Sequence, residues 1–318
     1  MRDEQLVSVL ISIYKEHVSV ASQAIDSIRK QTYRNLEIVI MLDCPENKSM
    51  KAYLRQIADE DARVNYYINK KNLGLLKSLN LGINLCHGEF ICRMDGDDIS
   101  EADRIEEQMN FMRKAGIDLV GSYTQLMNMN GELTGEVRKF PSHHNYLCRY
   151  LKYGSAVPHP TWLVKKEVYK ELHGYRDILY VEDYDFLIRA CLKGYKIGVV
   201  PEALIRYRIN QSGITQRNIA MQKIMSVVLA KQVFQRRIFS IDEIIEYRTK
   251  RSAEEEKVMS YYLIGKKWKN GEKITIEEKF KVIFSGYNFM EIKQRLACRF
   301  ILIKDSKYDN NQNSGRLG

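Results

Sequence analysis

Leu6–Tyr14 reads LVSVLISIY, and Leu36–Leu42, 22 positions beyond Tyr14, reads LEIVIML. Both runs are β-branched and almost continuously apolar. That is the pattern of strands buried on both faces of a parallel sheet, not of half-exposed strands, which alternate. Between them Val18–Gln31 places Val20, Ala24, Ile25 and Ile28 at helical spacing on one face. A strand, a helix and a second strand make a β-α-β unit, and a parallel connection of this kind is right-handed.

Working outward, the alternation continues. Helical spacing covers Lys48–Ala58, a short strand Val64–Ile68, a loop Asn69–Gly74, a helix Leu75–Cys86 and a strand Glu89–Met94. Such a series predicts an α/β fold: a Rossmann-like open, mainly parallel sheet with helices on both faces. Ligands of these sheets sit beyond the carboxyl ends of the strands. Asp43 and the cluster Asp95–Asp98 fall at two such ends, beside one expected crevice. Ser100–Ala115 opens like a helix N-terminus, and Gly116–Gln125 returns to a strand. Helical segments are expected at Asn218–Lys257, Met259–Trp268, Glu277–Phe284 and Phe289–Ile303, ahead of an irregular Asp309–Gly318.

The 318 residues suit one large domain with an appendage, because single cores stop growing at about 250–300 residues. Apolar residues at 45% and charged residues at 28% leave enough material for a real core and argue against disorder. No run approaches the roughly 18 uncharged apolar residues of a membrane-spanning helix, and Met1–Gln5 does not look like the start of a signal peptide. A cytoplasmic protein is therefore expected. The six cysteines include no CxxC pair, so free thiols are expected and neither a zinc site nor a disulfide framework.

The net charge of +10 is unevenly placed. Up to Ala203 there are 27 Lys/Arg against 28 Asp/Glu; from Leu204 onward there are 23 against 12. In this last third Lys231, Arg236, Arg237, Arg248, Lys250, Arg251, Lys266, Lys267 and Lys269 alternate with apolar and aromatic residues. Such segments lie on anionic membrane surfaces. The blander reading is a helical appendage whose charges are merely solvated.

The segment richest in chemistry is Arg93-Met94-Asp95-Gly96-Asp97-Asp98. Three carboxylates in four positions repel one another unless a cation or open solvent compensates. Mg²⁺ and Mn²⁺ take oxygen ligands octahedrally, commonly one or two carboxylates plus substrate phosphate oxygens. Gly96 allows a tight turn and a close backbone approach. A solvated acidic turn before the helix at Ser100 is the structural alternative.

Six blocks in order complete the picture: VSVLISIYKE (7–16), QTYRNLEIVIMLD (31–43), NKKNLGLLKSLNLGI (69–83), GEFICRMDGDD (88–98), HPTWLVKKEVY (159–169) and VEDYDFLIR (181–189). With them the chain resembles the family 2 glycosyltransferases of bacterial surface-polysaccharide synthesis. The resemblance covers about the first two thirds of the chain.

It implies a GT-A catalytic domain over 1–215, with a nucleotide-sugar half at about 1–100 and an acceptor half at about 101–215. A basic, mostly helical extension over 216–308 and a disordered tail over 309–318 would follow. It implies an inverting, metal-dependent enzyme that moves a single sugar from a UDP-sugar to a lipid-linked saccharide acceptor.

Residue by residue, the resemblance puts Ser12, Tyr14, Asp43, Asn72, Lys77, Asp95 and Gly96 at the nucleotide sugar, with Asp43 on the uracil and Asp95 on the ribose. Asp97, with Asp95, would hold Mn²⁺ or Mg²⁺, Asp183 would be the catalytic base, and His159 and Glu182 would meet the acceptor. Near Ile205–Asn210 the chain has Asn210 where many relatives carry a metal-reaching histidine.

Peripheral attachment to the inner face of an anionic membrane is one use for the basic third, and no nucleic-acid partner is called for. The competing class is a non-catalytic module of the same fold whose basic tail binds membrane or nucleic acid. A sugar nucleotidyltransferase would want a Gly-rich loop after the first strand, and Ser12–Glu16 is not one.

Overall fold

The computed structural model describes residues 5–178, 180–209, 218–251, 254–269, 271–283 and 286–314. The alternation begins as the periodicity predicts: β1 (Val7–Ile13), α1 (Val18–Arg29), β2 (Leu36–Leu42), α2 (Lys48–Glu60), β3 (Val64–Ile68), α3 (Leu75–Leu85) and β4 (Phe90–Asp95). Next come β5 (Ile99–Ser100), α4 (Arg104–Ala115), β6 (Leu119–Met127), β7 (Leu133–Arg138) and α5 (His144–Tyr150). A 3₁₀ turn at His159–Thr161 leads into β8 (Leu163–Lys165), α6 (Lys166–Glu171), α7 (Glu182–Leu192) and β9 (Ile197–Arg208). The last third is helical: α8 (Ile219–Gln235), α9 (Ile241–Thr249), α10 (Glu255–Lys269), α11 (Ile276–Ile283) and α12 (Gly286–Ser314).

The sheet runs β3-β2-β1-β4-β8-β6-β9-β5, with β7 paired to β6. Strands β3, β2, β1 and β4 are mutually parallel, as is β6 with β9, while β8 is antiparallel to both of its neighbours. The sheet is thus mixed beyond β4, more so than the sequence indicates. Every residue of β1 is buried, because β1 has a strand on each side and helices on each face. Val7, Val9, Ile11 and Ile13 join the core beneath α1, α2 and α4. Leu10 takes the other face, where α3 comes so close that a Cβ on Gly82 would stand 2.4 Å from Leu10 Cδ1.

Helix α4 begins four residues later than expected, and the reason is local. Ser100 lies in β5, its N–H donating to Ser27 Oγ at 3.0 Å. Buried Gln31 donates to Ser100 Oγ and to the Glu101 carbonyl, and its Oε1 accepts from the Ile105 N–H at 3.1 Å. A side chain from the end of α1 thus satisfies an N-terminal donor of α4, so the helix starts where that partner waits.

The chain forms two compact units. The first comprises Met1–His144, Val157–Asp177 and Arg189–Asn210, and contains the whole sheet; the second comprises Asn145–Ala156, Ile178–Ile188 and Gln211–Gly318. In the second, the helix expected over Asn218–Lys257 is broken at Arg236, whose φ is 51°. It restarts at a capping box in which Ser240 and Glu243 satisfy each other's backbone N–H. Helix α12 is assigned through Ser314, past Asp309, where the sequence reading began a disordered tail. Cys44, Cys86, Cys92 and Cys298 are free thiols, but Cys148 and Cys191 are disulfide-bonded, a state their spacing did not announce. Among the described residues no helix is long and apolar enough to cross a membrane.

Candidate functional site

Strand β4 delivers its last residue, Asp95, to the carboxyl edge of the sheet, opposite Ser12 in the β1 register. Just beyond, a Cβ on Gly96 would lie 3.0 Å from both the Ser12 carbonyl and Ile13 Cγ1. Glycine lets the loop turn tightly over β1, where a side chain would need its neighbours to give by a few tenths of an ångström. The turn gathers Asp95, Asp97 and Asp98, with one carboxylate oxygen from each lying within 4.8 Å of the others.

Two arginines brace this group. Arg93, buried within β4, forms an ion pair with Asp95. Arg208, at the end of β9, donates its backbone N–H to Asp98 Oδ1 at 2.8 Å, its Nε to the Asp97 carbonyl at 2.7 Å and its Nη2 to Gln23 Oε1 at 3.1 Å.

The cluster remains short of positive charge. Burial pushes the Asp97 carboxyl up to about 7, with Asp95 and then Glu16 adding repulsion. Burial also raises Asp98 far above the carboxylate range, again with help from Asp95 and Asp97. Glu16 is raised by its own burial, and more weakly by Asp95. Asp98 Oδ2 is buried with no hydrogen-bond partner. Carboxylates forced toward their neutral form, with one orphaned oxygen among them, fit a hard divalent cation, which oxygen ligands of this density hold.

A second feature forms where β2 ends. Asp43 is 3% exposed. Its Oδ1 accepts from the Asn69 amide at 2.7 Å and the Leu73 N–H at 2.8 Å, and its Oδ2 accepts from the Gly74 N–H at 2.8 Å. Asn72 Oδ1 shares that last donor at 2.9 Å. Gly74 has φ +81°, a conformation glycine adopts without strain, and it opens α3. Asp43 thus faces the 69–74 loop and fixes its shape. Lys77, on the first turn of α3, is exposed and 3.6 Å from Asp177. Tyr14 is 39% exposed just past β1, its N–H held by Glu16 Oε2.

His159 lies in a third cluster. Its Nε2 is 2.7 Å from the Tyr175 hydroxyl, and its ring packs edge-on against Trp162 and Tyr175. Burial, with Arg93 adding to it, pushes its pKa well below the ordinary histidine value, so the ring is neutral. Helix α4 ties this turn to β4: Arg104 Nη2 donates to the carbonyls of Arg93 and Pro160, both at 2.9 Å, and Gln108 donates to Thr161 O at 2.6 Å. Packing and one tyrosine hydroxyl occupy the ring, as in a structural histidine.

The first unit therefore holds Ser12, Tyr14, Asp43, Asn72, Lys77, Asp95, Gly96, Asp97 and His159. It brings Ser12, Gly96 and the aspartates to one strand edge, and joins Asp43 to Asn72. Glu182 and Asp183 belong to the second unit, where with Asp185 they make an acidic first turn of α7. Carboxylates are favoured there by the helix dipole, and Asp183 Oδ1 accepts from the Tyr184 N–H at 2.7 Å. Asn210 lies outside the described residues.

The sequence reading gave no role to Arg93, Arg208 or Glu16, and none to Asp98 beyond its place in the acidic cluster. Arg93 carried a usable signal, since an arginine inside an otherwise apolar strand needs an anion beside it. Arg208 had none: nothing local tells which carbonyls it will reach.

Comparison with known proteins gives the family. The model of glycosyl transferase family 2 matches residues 8–172. The O-antigen biosynthesis glycosyltransferase WbnJ of Escherichia coli is 30% identical over 75% of this chain and 93% of its own. The E. coli UDP-Gal:alpha-D-GlcNAc-diphosphoundecaprenol beta-1,3-galactosyltransferase is 29% identical over 68% and 78%. Among solved structures, the mannosyltransferase PcManGT of Pyrobaculum calidifontis in complex with GDP-Man and Mn²⁺ superposes with a TM-score of 0.58 at 13% identity, covering 94% of this chain and 85% of that one. That last likeness speaks for the GT-A fold alone. The family match spans more than half the chain and includes both strand-end aspartate positions, so the chain belongs to glycosyl transferase family 2 and is a glycosyltransferase.

Proposed function

We propose that this enzyme transfers a single sugar, with inversion, from a UDP-sugar to a hydroxyl of a lipid-linked saccharide during synthesis of a bacterial surface polysaccharide. The observation that carries the proposal is the group Asp95, Asp97 and Asp98, its oxygens converging within 4.8 Å and its charge only partly offset by Arg93 and Arg208. Asp97, with Asp95 and the orphaned oxygen of Asp98, would hold Mn²⁺ or Mg²⁺. Bound there, the cation supplies Lewis-acid stabilisation of the departing diphosphate.

The protein's own residues have separate tasks. Ser12, Tyr14, Asn72 and Gly96 line the nucleotide, and Asp95 reaches the ribose. Lys77 is held only by an exposed pair of the kind that contributes little, which leaves it able to turn toward the diphosphate. Asp43, with both oxygens engaged, serves the base through the 69–74 loop that it fixes. Asp183 takes the proton as the acceptor oxygen attacks the anomeric carbon. The bond from that carbon to the phosphate oxygen breaks on the opposite side, and its electron pair leaves with UDP. One displacement inverts the centre. Glu182 positions the acceptor, and His159 supports that side from within the core.

The UDP-Gal and diphosphoundecaprenol in the name of one relative support the donor and acceptor classes. The cation rests on the aspartates of this chain, since the solved neighbour with GDP-Man and Mn²⁺ shares the fold alone. The test is release of nucleoside diphosphate from UDP- and GDP-sugars with Mn²⁺ present. Turnover is expected with UDP-sugars and should fall at least about a hundredfold in Asp97→Ala. Undiminished turnover in that variant, or in excess EDTA, would overturn the metal assignment. Turnover on GDP-sugars alone would overturn the donor.

A further inference from the structure

Helix α12 presents an unusual outer face. Leu296, Phe300 and Ile303 are 63%, 58% and 47% exposed. At 3.6 residues per turn they fall, with exposed Lys307, within an arc of about 60°. Ile301 and Asp305, on the far side, are buried. The helix is therefore seated on its own unit by one face and shows an apolar stripe on the other, where a surface helix normally carries polar residues.

Cations border the stripe on both flanks. Lys293, Arg295, Arg299 and Lys304 are all exposed, and Lys304 Nζ sits 4.5 Å from the centre of the Phe300 ring. Between Lys293 and Tyr308 the one acidic residue is the buried Asp305.

We propose that this face of α12 docks on an anionic bilayer. Leu296, Phe300 and Ile303 enter the acyl boundary, and Arg299, Lys304, Lys293 and Lys307 lie at the level of the lipid phosphates. The charge arrangement favours this occupant. A strip one helix wide with cations on both sides matches a plane of negative headgroups, and long basic side chains lay their stems along such a stripe while their charges reach outward. The inference deepens the reading of a lipid-linked acceptor, by naming the surface that keeps the enzyme where such an acceptor lies.

The test is flotation of the full chain with vesicles of phosphatidylcholine, alone or with about one third phosphatidylglycerol, without donor, metal or acceptor. The wild type should bind the anionic vesicles at least about tenfold more tightly than the neutral ones. The exposed triple change Leu296→Ser/Phe300→Ser/Ile303→Ser should weaken that binding about tenfold with little change in Tm. Should that variant fold poorly, Arg299→Glu/Lys304→Glu, which leaves the apolar face intact, should abolish the anionic preference.

Binding that neither variant changes would overturn the proposal, as would an absence of binding to anionic vesicles, which would leave an acidic protein as the partner. So would a stable dimer in sedimentation that the serine variant dissociates. Failure here leaves the transfer reaction untouched, since no turnover is measured, and failure of the transfer assay leaves vesicle binding standing.

Discussion

Asp97 sets charge against burial within the acidic turn, and the consequence is measurable. Its carboxyl has an ordinary value of 3.8 and rises to about 7 in the folded chain. Below pH 4 it is protonated in both states and has no net effect. Between about 4 and 7 the unfolded chain releases the proton while the folded chain keeps it, so stability falls as pH rises, then levels off above 7. At roughly 1.4 kcal/mol per unit the span is on the order of 4 kcal/mol. Melts in EDTA should show this decline in the wild type, and Asp97→Asn should flatten it and raise Tm at pH 8; equal slopes would refute the account. Asp43 acts instead through its hydrogen bonds, holding the 69–74 loop by three donors. Asp43→Ala should cost about 2 kcal/mol in urea denaturation, and Asp43→Asn, which keeps one acceptor, about half as much. Faster amide exchange at Leu73 and Gly74 should accompany the alanine change, and at one of the two the asparagine change, because each N–H donates to a different oxygen of Asp43.

At the scale of elements, what could be read was whatever periodicity alone dictates. β1, β2 and β4 are central strands, so their buried runs leave no other reading, and the sequence alone puts Asp95 at a strand end. β8 and β9 were missed for physical reasons. β8 has three residues, too few for a period. β9 interrupts its apolar pattern at exposed Pro201 and Glu202, where its register against β6 shifts. Missing β9 meant missing Arg208, whose place beside the acidic turn exists only once β9 pairs with β6 and β5. The start of α4 escaped similarly, because Gln31 supplies its N-terminal partner from 74 positions away. Arg208 therefore offers a test of long-range bracing. Arg208→Met removes side-chain donors from the carbonyls of Asp97 and Met129 and from Gln23. It should lower stability by about 3 kcal/mol and weaken the Tm rise given by Mn²⁺. Arg208→Lys should recover little of either, because a single ammonium cannot span three acceptors set around a planar fork.

At the scale of the whole molecule, the residues proposed for donor and metal lie in the first unit, and the proposed base, Asp183, lies in the second. Their energies should therefore separate. A ligand at a hundred times its dissociation constant stabilises a fold by about 2.7 kcal/mol, and the Tm rise given by UDP with Mn²⁺ measures that term. Asp97→Ala should abolish the rise, having lost a ligand of the cation. Asp183→Asn should retain it within about a degree, because the amide is nearly the same size and touches neither ligand in the proposed scheme. The same variant should lose transfer by about 10²–10⁴-fold, the usual contribution of a positioned general base, with KM for the donor little changed. If Asp183→Asn instead lost the Tm rise along with turnover, the aspartate would belong to donor binding, and another carboxylate of the acidic first turn of α7 would have to accept the proton. If it kept both, Asp183 would have no part in the chemistry, and the assignment carried by the VEDYDFLIR block would be wrong even with the metal site intact.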